Sequence, residues 1–144
     1  MKLSFTQTFP VPPERVYAAL TDPEVLRKCI EGCEKLVQVG DGVYESTLKL
    51  GLAGIKGTFA GKVELRDRKP PESFTLIMEG NGPGSFVRGN SQVTLRPKDG
   101  GTELVSEGDC TVGGLIVAVG SRLVDAAAKK MTADFFRKLA EQVR

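Results

Sequence analysis

Few side chains in this sequence can carry covalent or proton-transfer chemistry. The thiols are Cys29, Cys33 and Cys110, and none of the 144 residues is a histidine. Without imidazole, Ser-His-Asp and Cys-His nucleophiles are excluded, as is any zinc site with a histidine ligand; catalysis would fall to Asp, Glu, Lys, Tyr or Cys. The C-x-x-x-C spacing of Cys29 and Cys33 suits neither the redox C-x-x-C nor a zinc knuckle, and one further cysteine cannot complete a site. Buried, reduced thiols are expected, and an odd cysteine count without a secretory signal predicts a cytoplasmic protein. Among carboxylates, Glu107 and Asp109 fall on the outward face of their strand by parity, and no pair is spaced for acid–base work. No catalytic residue, metal ligand or cofactor is therefore expected.

Glycine is abundant, at 17 residues. The segment Gly80-Asn81-Gly82-Pro83-Gly84-Ser85 fails the dinucleotide fingerprint, because Ser85 stands where a third glycine is required and a strand follows instead of a helix. Gly51 to Thr58 lacks the Gly-Lys-Ser/Thr ending of a phosphate-binding loop, so both segments read as loops. Twenty Lys plus Arg against 18 Asp plus Glu give a net charge of +2 with the signs interspersed, which argues against a nucleic-acid partner. The most basic stretch, Arg66-Asp67-Arg68-Lys69, carries its own acid and precedes two prolines, as a solvated turn would.

These residues must be positioned by elements whose periods are visible. Residues 1–9 alternate apolar and polar, which predicts a strand and not a signal peptide. Pro12-Pro13-Glu14 and then Asp22-Pro23-Glu24 each open a short helix, since the first helical turn has no use for the missing proline N–H. From Glu34 to Val112 the period becomes two, over segments 34–39, 43–50, 57–66, 73–80, 85–96 and 102–112 separated by turn residues. The last element starts between Leu115 and Ser121 and runs to the end. It places Val124, Ala128, Met131, Phe135 and Leu139 on one arc, with Arg122, Asp125, Lys129, Arg137, Glu141 and Arg144 opposite. No apolar run approaches the ~20 residues that cross a bilayer. The expectation is one α+β domain over residues 1–144: a curved seven-stranded antiparallel sheet gripping a long carboxy-terminal helix, with two short helices after strand 1.

Parity then assigns an inward face. It holds Tyr44, Ser46, Leu48, Phe59, Gly61 and Val63 from the first strands of the meander, and Phe74, Leu76, Met78, Val87 and Gly89 from the next. Leu50, Leu65, Ser91, Val93, Leu95, Leu104, Ser106, Gly108 and Cys110 complete it. Small residues here have two explanations: glycine lets a sheet bend sharply, or the missing volume is a cavity. An empty apolar void of ~300 Å³ would cost on the order of 7 kcal/mol, so a cavity of that size would hold a ligand or water. Between Val112 and Gly120, Gly113-Gly114 either turns the chain into the last helix or, with Gly120, hinges an apolar gate.

At this point the residues resemble a family. Phe9-Pro10-Val11-Pro12 leading to Arg15-Val16-Tyr17, Asp22-Pro23-Glu24, Cys29-Ile30-Glu31-Gly32-Cys33, Phe59-Ala60-Gly61, Glu79-Gly80-Asn81-Gly82, Val112-Gly113-Gly114 and Phe135-Phe136 occur in the order seen in CoxG, the G-type accessory family of carbon monoxide dehydrogenase. That family lies within the START-like, helix-grip (SRPBCC) superfamily. One departure is Glu31, where the family usually has proline. The resemblance implies a hydrophobic cavity between sheet and helix. It also implies a non-catalytic accessory role beside a molybdenum-containing CO dehydrogenase or related hydroxylase: membrane recruitment, electron-acceptor handling or maturation.

The expected ligand is a quinone or lipid-like molecule. Leu48, Phe59, Phe74, Leu76, Met78, Val87 and Leu104 would be the wall, Gly61, Gly89 and Gly108 the space, and Val124, Ala128, Met131 and Phe135 the lid. A cytoplasmic location, with contact at the inner membrane face left open, goes with this. The alternatives are a polyketide cyclase or dehydratase-like enzyme on the same fold, using inward Tyr44, Ser46, Ser91, Ser106 or Cys110, and a protein-binding assembly factor.

Overall fold

The computed structural model describes residues 1–52 and 55–143. Strand β1 (Lys2–Phe9) leads into helices α1 (Pro13–Leu20) and α2 (Pro23–Cys29). Both open on prolines, and the Asp22 carboxylate caps α2 by accepting from the Glu24 N–H at 2.9 Å. The Thr21 hydroxyl donates back to the Tyr17 carbonyl instead, at 3.1 Å. Six strands follow: β2 (Cys33–Gly40), β3 (Val43–Leu52), β4 (Ile55–Lys69), β5 (Ser73–Gly82), β6 (Ser85–Lys98) and β7 (Gly101–Gly114). A 3-10 turn (Leu115–Val119) then enters α3 (Ser121–Gln142). The seven strands form one antiparallel sheet in the order β1-β7-β6-β5-β4-β3-β2.

The meander is longer than its turn residues suggest. Gly80, Asn81 and Gly82 pair with Val87, Phe86 and Ser85, so the β5–β6 connection is Pro83-Gly84 alone, with Gly84 at φ +68°. Most of the expected loop between Gly51 and Thr58 is strand as well; Ala53 and Gly54 of that loop lie outside the described residues. In both places ladder hydrogen bonds override glycine's poor strand propensity. The basic stretch is also partly strand: β4 continues to Lys69, Arg66 pairs with Glu64 at 3.0 Å and Arg68 with Asp41 at 2.8 Å.

The packed core lies at the end of the sheet where the short helices dock. Val16 and Leu20 of α1, Leu26 and Cys29 of α2, Leu65, Phe74, Val93, Leu95 and Leu104 of the sheet, and Phe136 and Leu139 of α3 form one cluster. On α3 the buried positions are Val124, Ala127, Phe136 and Leu139. The stripe thus winds around the helix: Phe136 is the buried ring and stacks on Phe5 of β1 with centroids 4.8 Å apart, while Phe135 is half-buried against the core cluster. Arg144, placed on the opposite arc by periodicity, lies outside the described residues. Glu31, the departure from the family pattern, forms an ion pair with Lys138 at 3.3 Å, tying the turn after α2 to α3.

One outward residue of β7 is buried. Glu103 accepts from Arg96 Nε at 2.7 Å and from Lys98 Nζ at 2.9 Å, and these two bonds hold its carboxyl below the usual carboxylate range. A depressed carboxylate pKa stabilises the fold above the unfolded-state value, and that contribution is lost as pH falls through the lower folded-state value. Glu103→Gln is therefore expected to destabilise at pH 7 and to lie closer to the wild type at pH 3, as read by urea unfolding at the two pH values.

Candidate functional site

Strand register builds the site. Across the inner face, Ser46 of β3 pairs with Gly61 of β4, and Gly61 with Gly80 of β5. One step along, Met78 pairs with Gly89 of β6, and Ser91 of β6 pairs with Gly108 of β7. Ser106 lies two residues before Gly108 on the same face. Small side chains therefore run in a continuous diagonal from Ser46 to Ser106 across five strands. Val63, Leu76 and Met78 border it on the side of the packed core; Leu48, Phe59 and Val87 border it toward the hairpin tips.

The glycines of this diagonal are not equivalent. A Cβ on Gly108 would overlap the backbone carbonyl of Asn90, so Gly108 is required by close strand approach. At Gly89 it would meet Met78 Cε at 3.0 Å and the Asp109 carbonyl oxygen at 3.1 Å, and at Gly61 the Ser46 hydroxyl at 2.5 Å. At Gly80 the nearest heavy atom would be the Ala60 carbonyl oxygen, 3.9 Å away. Gly82, outside the diagonal, is covered by the ring of Phe59, whose atoms would come within 2.7 Å. The inward glycines thus differ: Gly108 serves close backbone approach, whereas at Gly80 a Cβ would make only an ordinary contact.

Above the diagonal, α3 is carried near its ends. It packs on the 3-10 turn at its start and on α2 and β1 toward its finish. Val124 and Leu139 are buried, whereas Ala128, Met131 and Phe135, on the same arc between them, are only half-buried. Leu48, Leu76, Met78, Val87 and Gly89 below are half-buried too.

The 3-10 turn packs against the tip of the β5–β6 hairpin. Leu115 N–H donates to the Gly84 carbonyl at 2.8 Å, Ile116 N–H to the Ser85 hydroxyl at 3.1 Å, and the Ile116 side chain is buried. It is flanked by Gly114 and Gly120, at φ +79° and +103°, backbone conformations that favour glycine. Leu115, Val117 and Leu123 stand exposed around it.

The chemistry available inside is mild. The inward strand positions carry no charge. Ser91 and Ser106 hydroxyls bond to each other at 2.6 Å, and Tyr44 donates to the Thr21 carbonyl at 3.0 Å. Burial pushes the Cys29, Cys33 and Cys110 thiols up, away from the reactive thiolate, and pushes the Tyr17 and Tyr44 phenols up as well. Tyr17, set edge-on against Phe74, has a buried hydroxyl without a protein partner among the described residues. Among the described residues no group of three or more His, Cys, Asp or Glu is arranged to hold a metal ion.

Of the residues expected to form the site, strand register sets Leu48, Gly61, Leu76, Met78, Val87 and Gly89 on one sheet face, and Ala128, Met131 and Phe135 are half-buried positions of α3, with Leu76 and Phe135 packed against the core cluster. Phe59 is buried over Gly82, and Gly108 borders backbone. Phe74 and Leu104 belong to the packed core, with Leu104 fully sealed, and are not available as wall. Val124 is buried where α3 begins. Gly80 was missed because its neighbours read as a turn; continuing the alternation of Phe74, Leu76 and Met78 by one step would have found it. Two surface hollows measure about 340 and 420 Å³. The first is lined by Lys35, Glu45, Lys62 and Glu79 together with Ser46 and Gly61 of the diagonal, and the second is beside the β6–β7 turn.

A curved antiparallel sheet wrapped on a carboxy-terminal helix, with two short helices after the first strand, defines the helix-grip, START-like class. Within it, the profile of the carbon monoxide dehydrogenase G-subunit (CoxG) family matches residues 7–144, and the chain belongs to that family. A conserved protein from Geobacillus kaustophilus of known crystal structure is 32% identical, with a TM-score of 0.94 over 99% of this chain and 95% of that one. Thermus thermophilus TTHA0849 (19% identity, TM-score 0.74, 99% and 97% coverage) and Chromobacterium violaceum CV1439 (18%, 0.74, 99% and 96%) share the fold. No curated protein matches the sequence. No described helix is long and apolar enough to cross a membrane.

Proposed function

We propose that this protein is a non-catalytic binding module that takes a neutral, largely apolar ligand of the quinone or lipid type between sheet and α3, as an accessory to a CO dehydrogenase or related molybdenum hydroxylase. The observation that supports this is the half-buried middle of α3, between buried Val124 and Ala127 on one side and buried Phe136 and Leu139 on the other, in a fold whose inward sheet face carries a diagonal of small residues. A packed core would instead be most buried at its centre. The apolar border and the absence of inward charge suit a ligand recognised by shape and burial. The family supports the accessory role. Protonated thiols and phenols, with no inward carboxylate or base, speak against the cyclase alternative.

Solvent extraction and mass spectrometry of the purified chain, together with titration of the neutral fluorophore N-phenyl-1-naphthylamine, test the proposal. Gly80→Phe places a ring in the open position and is expected to weaken fluorophore binding at least roughly tenfold while the protein stays folded, a bulk effect on a pocket of this kind. Unchanged binding in Gly80→Phe, or no binding by the wild type, would sink the cavity reading.

A further inference from the structure

We propose that the Ser91–Ser106 pair is a hydrogen-bond donor site that selects ligands bearing a neutral oxygen acceptor, such as a ketone carbonyl, over hydrocarbons and over carboxylates. This rests on the cavity reading above and names the group the cavity recognises. Two hydroxyls hold two protons, and the 2.6 Å bond between them uses one. The other proton belongs to whichever hydroxyl accepts, and no second protein partner lies within hydrogen-bonding distance of either oxygen among the described residues.

The surroundings are apolar. Ser91 pairs across the strands with Leu76 and Gly108, and Ser106 with Val93 and Phe5. Both serines lie on the same sheet face as the diagonal, Ser91 opposite Gly108 of β7. Ser91 is 9% exposed and Ser106 is half-buried, so the unused donor has limited access to solvent and gains from an acceptor brought in by a ligand. A hydroxyl that already accepts a hydrogen bond is also polarised to donate more strongly. A carboxylate finds no inward cation and would be buried uncompensated.

The test uses the full chain and three probes on one carbon skeleton: tetralin, 1-tetralone and 1,2,3,4-tetrahydro-1-naphthoate, with affinities from ligand-observed NMR. Wild type is expected to prefer the ketone over the hydrocarbon by roughly tenfold, the usual worth of one such bond, and to bind the carboxylate most weakly. In Ser91→Ala/Ser106→Ala the ketone preference is expected to fall to about one while tetralin affinity holds, because removing both partners leaves no orphan. Ser106→Ala alone keeps one donor and is expected to retain the preference. Equal binding of ketone and hydrocarbon by the wild type, or a preference that survives in the double variant, overturns the serine assignment. The wild-type ratio decides even if the double variant does not fold. Failure of all three probes to bind overturns the cavity reading instead.

Discussion

Gly108→Ala is expected to lower the unfolding free energy by about 3 kcal/mol, while Gly80→Ala is expected to leave it unchanged or raise it by about 0.5 kcal/mol. Both glycines lie inside strands of the same sheet and on the same face. At Gly108 an added methyl overlaps the Asn90 carbonyl, a backbone atom that moves only if β6 and β7 separate. At Gly80 the nearest atom is 3.9 Å away, an ordinary contact, so alanine mainly restricts the unfolded chain. Urea unfolding of the two variants measures the difference. If Gly80→Ala costs as much as Gly108→Ala, then the sheet needs every inward glycine for curvature, and the space beneath α3 is not there.

The second large effect concerns the helix. Leu139→Ala is expected to cost about 3 kcal/mol, within the usual range for a buried leucine, and Met131→Ala only about 1 kcal/mol. Leu139 is fully buried against the core, whereas Met131 sits half-buried over the diagonal. On a uniformly packed amphipathic helix the central residue would cost at least as much as the one two turns later. Equal losses in denaturant unfolding would show that the middle of α3 is packed onto the sheet and would remove the main support for a ligand site.

Much of the architecture was legible in residue order. Alternation from Glu34 to Val112, the prolines that open α1 and α2, and the 3.6 period of the last helix led directly to the elements. Element ends were less legible. Gly80-Asn81-Gly82 has the composition of a turn, yet it is strand, because its neighbours on β4 and β6 supply ladder bonds that no local propensity records. The burial stripe of α3 was misplaced in the same way: a straight helical wheel favours Phe135, but the helix leans on β1 late in its course, and Phe136 meets Phe5 there.

By itself, the amino-acid order determined which chemistry is absent. A chain without histidine cannot hold the common nucleophile arrangements, and period-two alternation keeps its charges outward, since burying them unpaired costs too much. It also determined the fold class, because two short helices, a meander and one amphipathic helix can bury their apolar faces in few ways. Tertiary structure decided what each inward small residue is for. Gly61, Gly80, Gly89 and Gly108 are chemically identical, and only cross-strand register and the nearest atom distinguish a glycine that lets two backbones touch from one where a methyl would meet only an ordinary contact.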